Sequence, residues 1–190
     1  MPHIHTLVPD IYELLSRRDG WMTPELSQVF ASEVALKLQQ QFAERRKLGL
    51  SMSKIGYFRC PRALWASVNA PHEEEPLPSP AINKYSYGHI LEAWALALAR
   101  AAGHEVTGEQ DVVEISGILG HRDAVIDGVV VDVKSCTSWG FKKFKDKSIG
   151  QNDSFGYLAQ LDGYVVGSSS DPLVRYRDHG YLLAIDKQLG

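Results

Sequence analysis

The chain has 190 residues, of which 44% are hydrophobic and 23% are charged, and its formal net charge is -3. This is the composition of an ordinary globular protein, so it excludes a disordered chain, a collagen-like repeat and a disulfide scaffold. The length suits one compact domain. Because the sequence has neither a secretory signal nor a membrane-length apolar run, we expect a cytoplasmic protein without a membrane partner. The weak negative charge does not exclude a local basic groove.

Residues 1–50 are predicted to form an N-terminal helical extension to a core at residues 51–190. Thr23 is a typical helix N-cap, and Pro24 is a typical first helical residue. The apolar stripe of this helix is Leu26, Phe30, Val34, Leu38 and Phe42. We expect the helix to end in the basic run 45–47 and to cover the core as a lid.

The remaining elements predict an α+β (α/β-like) fold with a central mixed β-sheet flanked by helices. A loop rich in Pro and Glu is expected at 72–80, and a helix rich in Ala and Leu is expected from Ser86 to Gly103. Short β-branched runs then predict a three-stranded antiparallel unit, which is followed by a helix and a last strand. The predicted strands are 112–115, 118–126, 129–133 and 181–185, and the later helix is 153–166.

The Asp-Gly dipeptide at 127–128 predicts a two-residue turn that sets the pairing of the two flanking strands. This pairing places Asp123 opposite Asp132. It also places His121 opposite Lys134 on the same face of the sheet, while the other face is apolar. Directly opposed carboxylates repel each other, so a cation between them is expected.

Two carboxylates with room for water suit Mg²⁺ or Mn²⁺, and these ions commonly act on phosphate esters. Lys134 follows Asp132 by two residues in one strand, so its ammonium group is expected to reach the same site. There it would steady the attacking water and offset charge on the phosphate. The set therefore predicts hydrolysis of a phosphodiester bond.

One motif resembles the signature of the PD-(D/E)XK nuclease superfamily. It consists of Asp123, eight intervening residues and then Asp132-Val133-Lys134. Further motifs resemble those of its RecB-like and phage-type exonucleases. They are Gly88-x-x-x-Glu92, Gly120-x-x-Asp123 and Gln160-x-x-x-Tyr164. Cys60-Pro61-Arg62 is similar to an element of CRISPR-associated and helicase-linked relatives.

The resemblance implies a restriction-endonuclease-like core and a metal-dependent DNA exonuclease that processes DNA ends in recombination and repair. The metal ligands that it implies are Glu92, Asp123, Asp132 and the backbone carbonyl of Val133. Lys134 would assist the water, and Gln160 and Tyr164 would place the scissile strand. Many relatives bind an iron-sulfur cluster through one early and three late cysteines. Here only Cys60 is in place, so no cluster is expected.

Basic and polar residues on both sides of the signature are predicted to contact DNA. They are Arg59, Arg62, Ser135, Lys142, Lys143 and Lys145. The lysines alternate with Trp139, Phe141 and Phe144, a pattern suited to phosphate contact and to stacking on unpaired bases. An exposed loop anchored by buried rings explains the same pattern, and both interpretations stay open.

Other functions also stay open at this point. One is an endonuclease of the same fold, and another is an inactive module that binds nucleic acid or a protein. A homo-oligomer and a helicase or recombination partner stay open as well. Cys60 and Cys136 lack the spacing of zinc ligands, so both are predicted to be free thiols, with Cys136 buried.

Overall fold

The computed structural model describes residues 2–43, 50–56, 60–70 and 76–190. Its helices are α1 (Leu7–Ser16), α2 (Pro24–Phe42), α3 (Met52–Gly56), α4 (Pro61–Asn69), α5 (Ser79–Ala101), α6 (Ser138–Lys145) and α7 (Tyr157–Gly167). Its strands are β1 (Val106–Thr107), β2 (Val112–Ile115), β3 (Ile118–His121), β4 (Ala124–Ile126), β5 (Val129–Cys136) and β6 (Tyr176–Asp186). The predicted helix end at 45–47 and the predicted DNA contact Arg59 lie outside the described residues.

A mixed sheet of four strands forms the centre of the molecule, in the order β1-β4-β5-β6. Strand β5 is antiparallel to β4 and parallel to β6. A separate antiparallel pair of β2 and β3 packs on α7. This confirms the α+β class and the mixed central sheet flanked by helices.

Both faces of the central sheet are buried near the hairpin. On one face Val131 packs with Leu96 of α5, in a core that also contains Ile4 and Leu7 of the N-terminal segment. On the other face Val130 packs with residues of α7. The prediction that one face is apolar and the opposite face carries the site is confirmed, and because α7 covers part of that second face, its polar side chains lie toward the far end of β5.

The predicted hairpin register is confirmed. Ala124 pairs with Val131, as the turn at 127–128 requires. Asp127 and Gly128 have φ angles of 52° and 81°, the positive values that such a turn needs. The register places Asp123 one residue beyond the last pair, next to Asp132.

The predicted strand 118–126 is instead two strands, β3 and β4, which belong to different sheets. His121 pairs with β2 rather than lying opposite Lys134, so that part of the prediction is wrong. The break falls at Arg122, whose buried guanidinium needs acidic partners away from the strand. Those partners are Asp111 and Asp171.

Helix α5 begins at Ser79 rather than at the predicted Ser86, so the predicted loop 72–80 ends earlier. Pro80 stands in its first turn, where a missing amide hydrogen costs nothing. The added turns extend the surface of α5 that α2 covers.

Helix α2 starts as predicted, because the Thr23 hydroxyl accepts a hydrogen bond from the Leu26 amide. It packs mainly against α5, so it forms an outer layer over that helix rather than a lid directly over the sheet. Phe42 is 66% exposed. A stripe at every fourth residue drifts by about 40° per step around a helix of 3.6 residues per turn, which explains why its last member leaves the interface.

The lysine-rich segment after β5 is a helix, α6, rather than the exposed loop considered above. Thr137 caps it by accepting a hydrogen bond from the Gly140 amide. Helix α7 begins at Tyr157, later than predicted, because Gly156 caps it with a left-handed φ of 70°. In the described parts of the chain, no helix combines the length and apolar character needed to cross a membrane.

Candidate active site

Asp132 and Lys134 project from the same side of β5 toward its C-terminal end. Asp132 is 1% exposed, although a carboxylate is costly to bury without partners. The Lys134 ammonium supplies one partner, with Nζ 2.6 Å from Asp132 Oδ2. The spacing of two residues along a strand produces this pair directly.

Asp123 reaches the same place from the start of β4. Its Oδ2 accepts a hydrogen bond of 2.7 Å from the backbone amide of Val133. Val133 therefore contacts the site through its N–H group, whereas the sequence had suggested its carbonyl as a metal ligand. The hydrogen bond orients the Asp123 carboxylate next to Asp132, as the hairpin register predicts.

Glu92 of α5 is the third carboxylate of the site and is buried. Its Oε1 lies 2.6 Å from Lys37 Nζ and accepts a hydrogen bond of 2.8 Å from Gln110 Nε2. Its Oε2 lies 3.9 Å from His89 Nδ1. Lys37 comes from α2, so the outer helix contributes a buried positive charge to this side of the site.

The carboxylates differ in how their surroundings change their acidity. Burial and the neighbouring charges of Glu92 and Asp132 raise the pKa of Asp123 well above its ordinary value. Burial also raises the pKa of Asp132, although Lys134 opposes the change. Burial acts to raise the pKa of Glu92 as well, but contacts with His89 and Lys37 outweigh it and lower that pKa. The two aspartates thus share one ammonium group, that of Lys134, whereas Glu92 contacts the Lys37 ammonium and also lies near His89.

The donor atoms at the aspartates fit a hard divalent cation. Asp132 Oδ2 is buried, and the Lys134 ammonium, with Nζ at 2.6 Å, is the cation beside it. Oxygen ligands of this kind suit Mg²⁺ or Mn²⁺. Among the described residues, however, no group of three His, Cys, Asp or Glu side chains is arranged to hold a metal ion. Glu92 is turned toward Lys37 and Gln110, which explains why the three carboxylates do not form such a group.

Helix α7 supports Lys134 from the other side. Gln160 Oε1 accepts a hydrogen bond of 3.2 Å from Lys134 Nζ, and Gln160 Nε2 donates one of 2.8 Å to the Tyr164 hydroxyl. Gln160 and Tyr164 are four residues apart, so they share one face of the helix. Burial raises the pKa of Tyr164, which keeps its hydroxyl protonated. This network holds the lysine beside Asp132.

Gly120 allows the tyrosine to approach the β2–β3 pair. A Cβ atom at Gly120 would lie 2.7 Å from Tyr164 Cε1 and 2.9 Å from Met52 Sδ. Gly88 has no such constraint, because a Cβ atom there would meet only Ser135 Oγ at 3.9 Å. Packing thus requires a glycine at position 120 but not at position 88.

The structure brings most of the predicted site residues together, and these are Glu92, Asp123, Asp132, Val133, Lys134, Gln160 and Tyr164. Ser135 follows Lys134 on β5 and lies near α5. Lys142, Lys143 and Lys145 lie together on α6, and Arg62 is exposed on α4.

Sequence reasoning missed Lys37 and Gln110, whereas the spacing of Tyr157, three residues before Gln160, predicts its place on the same side of α7. Lys37 follows Phe30 by seven residues and so lies on the packed face of α2, where a lone cation signals a buried acidic partner. Gln110 stands in a turn with a positive φ of 57° and carries no such signal. The Lys134 ammonium lies over the Tyr157 ring, with Nζ 4.9 Å from the ring centroid.

No family model matches the chain, and neither the curated proteins nor the solved structures yield a match. The interpretation of the site therefore depends on its own residues and geometry.

Proposed function

We propose that the protein is a PD-(D/E)XK-type nuclease with a restriction-endonuclease-like core, which uses Mg²⁺ or Mn²⁺ to hydrolyse phosphodiester bonds in DNA. The observation that carries the proposal is the meeting of Asp123, Asp132 and Lys134 at one end of the central sheet, where burial raises the pKa values of both aspartates. Such perturbed groups are typical of functional sites.

Asp123 and Asp132 would hold the ion, and Glu92 would join them if it exchanged Lys37 for the metal. When bound, the ion lowers the pKa of a coordinated water and offsets charge on the phosphate. The water oxygen attacks phosphorus as the bond to the leaving oxygen breaks; the water releases a proton to solvent and the leaving oxygen takes one up, which produces one phosphate end and one hydroxyl end. Lys134 orients the water and the phosphate oxygen, and Gln160 with Tyr164 keeps the lysine in place.

The preferred form of this proposal is an exonuclease of the RecB-like or phage type that processes DNA ends in recombination and repair. An endonuclease of the same fold would use the same residues. Incubation of end-labelled linear DNA and covalently closed circular DNA with Mg²⁺, Mn²⁺ or EDTA separates the two. Metal-dependent loss of the linear substrate alone supports the exonuclease, whereas cleavage of the circle supports the endonuclease.

A module that only binds nucleic acid or a protein is the second candidate. The observation in its favour is the Lys37–Glu92 pair, which occupies one carboxylate with a built-in cation. DNA binding without cleavage of either substrate, in either metal, would favour this candidate and contradict the nuclease.

A further inference from the structure

Aromatic rings form a continuous stack beside Lys134. We name Phe144, Tyr157 and Phe155 the ring stack. The Tyr157 ring lies 5.3 Å from that of Phe155 with an angle of 15° between the planes. It lies 6.3 Å from that of Phe144 with an angle of 29°. Lys134 Nζ lies 4.9 Å from the Tyr157 centroid, so the middle ring of the stack lies next to the lysine of the proposed active site.

The stack ends at a ring that faces solvent. Phe155 is 54% exposed, while Phe144 and Tyr157 are half-buried. Phe155 therefore offers a flat surface for another planar group, one ring away from the ring that Lys134 contacts.

Local backbone contacts hold the rings in position. Phe155 and Tyr157 flank Gly156, whose left-handed φ starts α7. Asp153 Oδ2 accepts a hydrogen bond of 2.8 Å from the Leu158 amide. Lys143 Nζ donates one of 3.2 Å to the Asn152 carbonyl, which connects α6 to this segment. These contacts fix the backbone of the segment that carries the Phe155 ring.

The basic helix α6, which contributes Phe144 to the stack, favours as its occupant an anion that carries planar groups. Helix α6 bears Lys142, Lys143 and Lys145 and has no acidic residue. Lys143 Nζ also lies 4.8 Å from the ring centroid of Trp139, which is 73% exposed. Cations that follow a phosphate backbone, together with rings that accept bases, are the features that bind single-stranded nucleic acid.

We propose that the ring stack binds an unpaired base of single-stranded DNA, so that the protein acts on single strands or on frayed ends. This inference rests on the proposed nuclease function, because Phe155 stacks on Tyr157, the ring that contacts Lys134. A base inside a duplex is already stacked on both faces and cannot cover Phe155. The lysines of α6 would contact the adjoining phosphates.

The test measures binding in EDTA, where a metal-dependent nuclease does not cut. The probes are a single-stranded DNA of about 12 nucleotides, within the usual site size, and the blunt duplex of the same sequence. Each carries 2-aminopurine, whose fluorescence falls when it stacks on a ring. Phe155→Leu keeps an apolar side chain but removes the ring, and Phe155→Trp restores one. Tyr12→Leu removes a ring that is 59% exposed on α1 and serves as the matched control.

We expect Phe155→Leu to weaken single-strand binding by about tenfold, the effect of losing one base–ring stack. The fluorescence quenching should disappear, duplex binding should be unchanged, and Phe155→Trp should behave as wild type. Unchanged single-strand binding in Phe155→Leu would overturn the inference, as would an equal loss on duplex or in Tyr12→Leu. Failure of the wild type to bind the single strand would also overturn it.

Cleavage assays with Mg²⁺ keep the two proposals apart. If Lys134→Ala abolishes cleavage while Phe155→Leu binds and cuts single strands as wild type does, only the ring-stack inference fails. If single-strand binding depends on Phe155 but the wild type never cuts, the ring stack is supported and the nuclease proposal fails.

Discussion

The two sides of the candidate site hold acidic residues in opposite ways. On the α5 side, Glu92 lies in contact with Lys37 and Gln110, and its pKa is lowered. On the β5 side, Asp123 and Asp132 share one lysine, and both of their pKa values are raised. The difference shows that burial alone does not set the acidity of a carboxylate: contacts with His89 and Lys37 outweigh burial at Glu92, whereas burial and the neighbouring carboxylates outweigh Lys134 at the aspartates.

The same difference indicates which carboxylates stabilise the fold and which are available to a ligand. A carboxylate with a complete set of partners contributes to the fold as it stands. A carboxylate that lacks partners destabilises the metal-free protein and gains most from a cation that binds later. The α5 side is therefore the structural half of the site, and the β5 side is the half prepared for a ligand.

The largest expected effect comes from removing the lysine of the β5 side. Lys134→Ala should lower the rate of DNA cleavage by about 10²- to 10³-fold, because it deletes the group that stabilises charge on the phosphate. The rate is measured with end-labelled DNA in Mg²⁺. Lys84→Ala, at an exposed position of α5, is the matched control and should cut as wild type does. Normal cleavage by Lys134→Ala would remove the lysine from the mechanism.

On the α5 side, Lys37→Met should lower the free energy of unfolding by about 3 kcal/mol, because it leaves Glu92 buried without its cation. Urea unfolding in EDTA measures the loss. Addition of Mn²⁺ should stabilise this variant more than the wild type, since the ion replaces the missing charge. The double variant Lys37→Met/Glu92→Gln should recover most of the stability. A single variant as stable as wild type would show that the pair is not structural.

Gly120→Ala tests the support that α7 gives to Lys134. The added methyl group would meet the Tyr164 ring, and overpacking of this kind costs about 1–3 kcal/mol. Cleavage should slow as well, because Gln160 moves with the tyrosine. Gly150→Ala is the control, since a Cβ atom there meets nothing within 4 Å. Equal stability of the two variants would contradict the packing described here.

The smallest effect is a change in pH dependence. A raised pKa means that the folded protein binds a proton more tightly than the unfolded chain, so Asp123 contributes stability at low pH that is lost as the pH rises through its folded pKa. Asp123→Asn should therefore stabilise the metal-free protein at neutral pH, with a gain that shrinks as the pH falls toward the ordinary range of an aspartate. Urea unfolding in EDTA across this range measures it. If Asp123→Asn were instead less stable than the wild type at neutral pH, the raised pKa assigned to Asp123 would be contradicted.

Much of the β5 side could be predicted from the sequence because it depends on local rules. The turn at 127–128 sets the hairpin register, and the alternation of a strand places Lys134 on the side of Asp132. The spacing of Gln160 and Tyr164 places both on one helical face. Each of these inferences needs only neighbours in the chain.

The rest depends on contacts between distant segments. The Lys37–Glu92 pair joins residues that are 55 positions apart, and no local pattern specifies such a pair. The break at Arg122 follows from acidic partners in two other loops, so a continuous strand was the natural prediction. The stack of Phe155 on Tyr157 depends on the left-handed Gly156, which moved the start of α7 from its predicted place.

The most direct measurement is the binding of Mn²⁺ to the metal-free protein. Binding is monitored by electron paramagnetic resonance, because the signal of free Mn²⁺ falls as the ion is bound. The wild type should bind the ion, Asp132→Asn should not, and Asp19→Asn, in the exposed turn after α1, should bind as wild type does. Binding that Asp132→Asn leaves unchanged, or no binding by the wild type, would contradict the claim that the β5 side is prepared for a divalent cation.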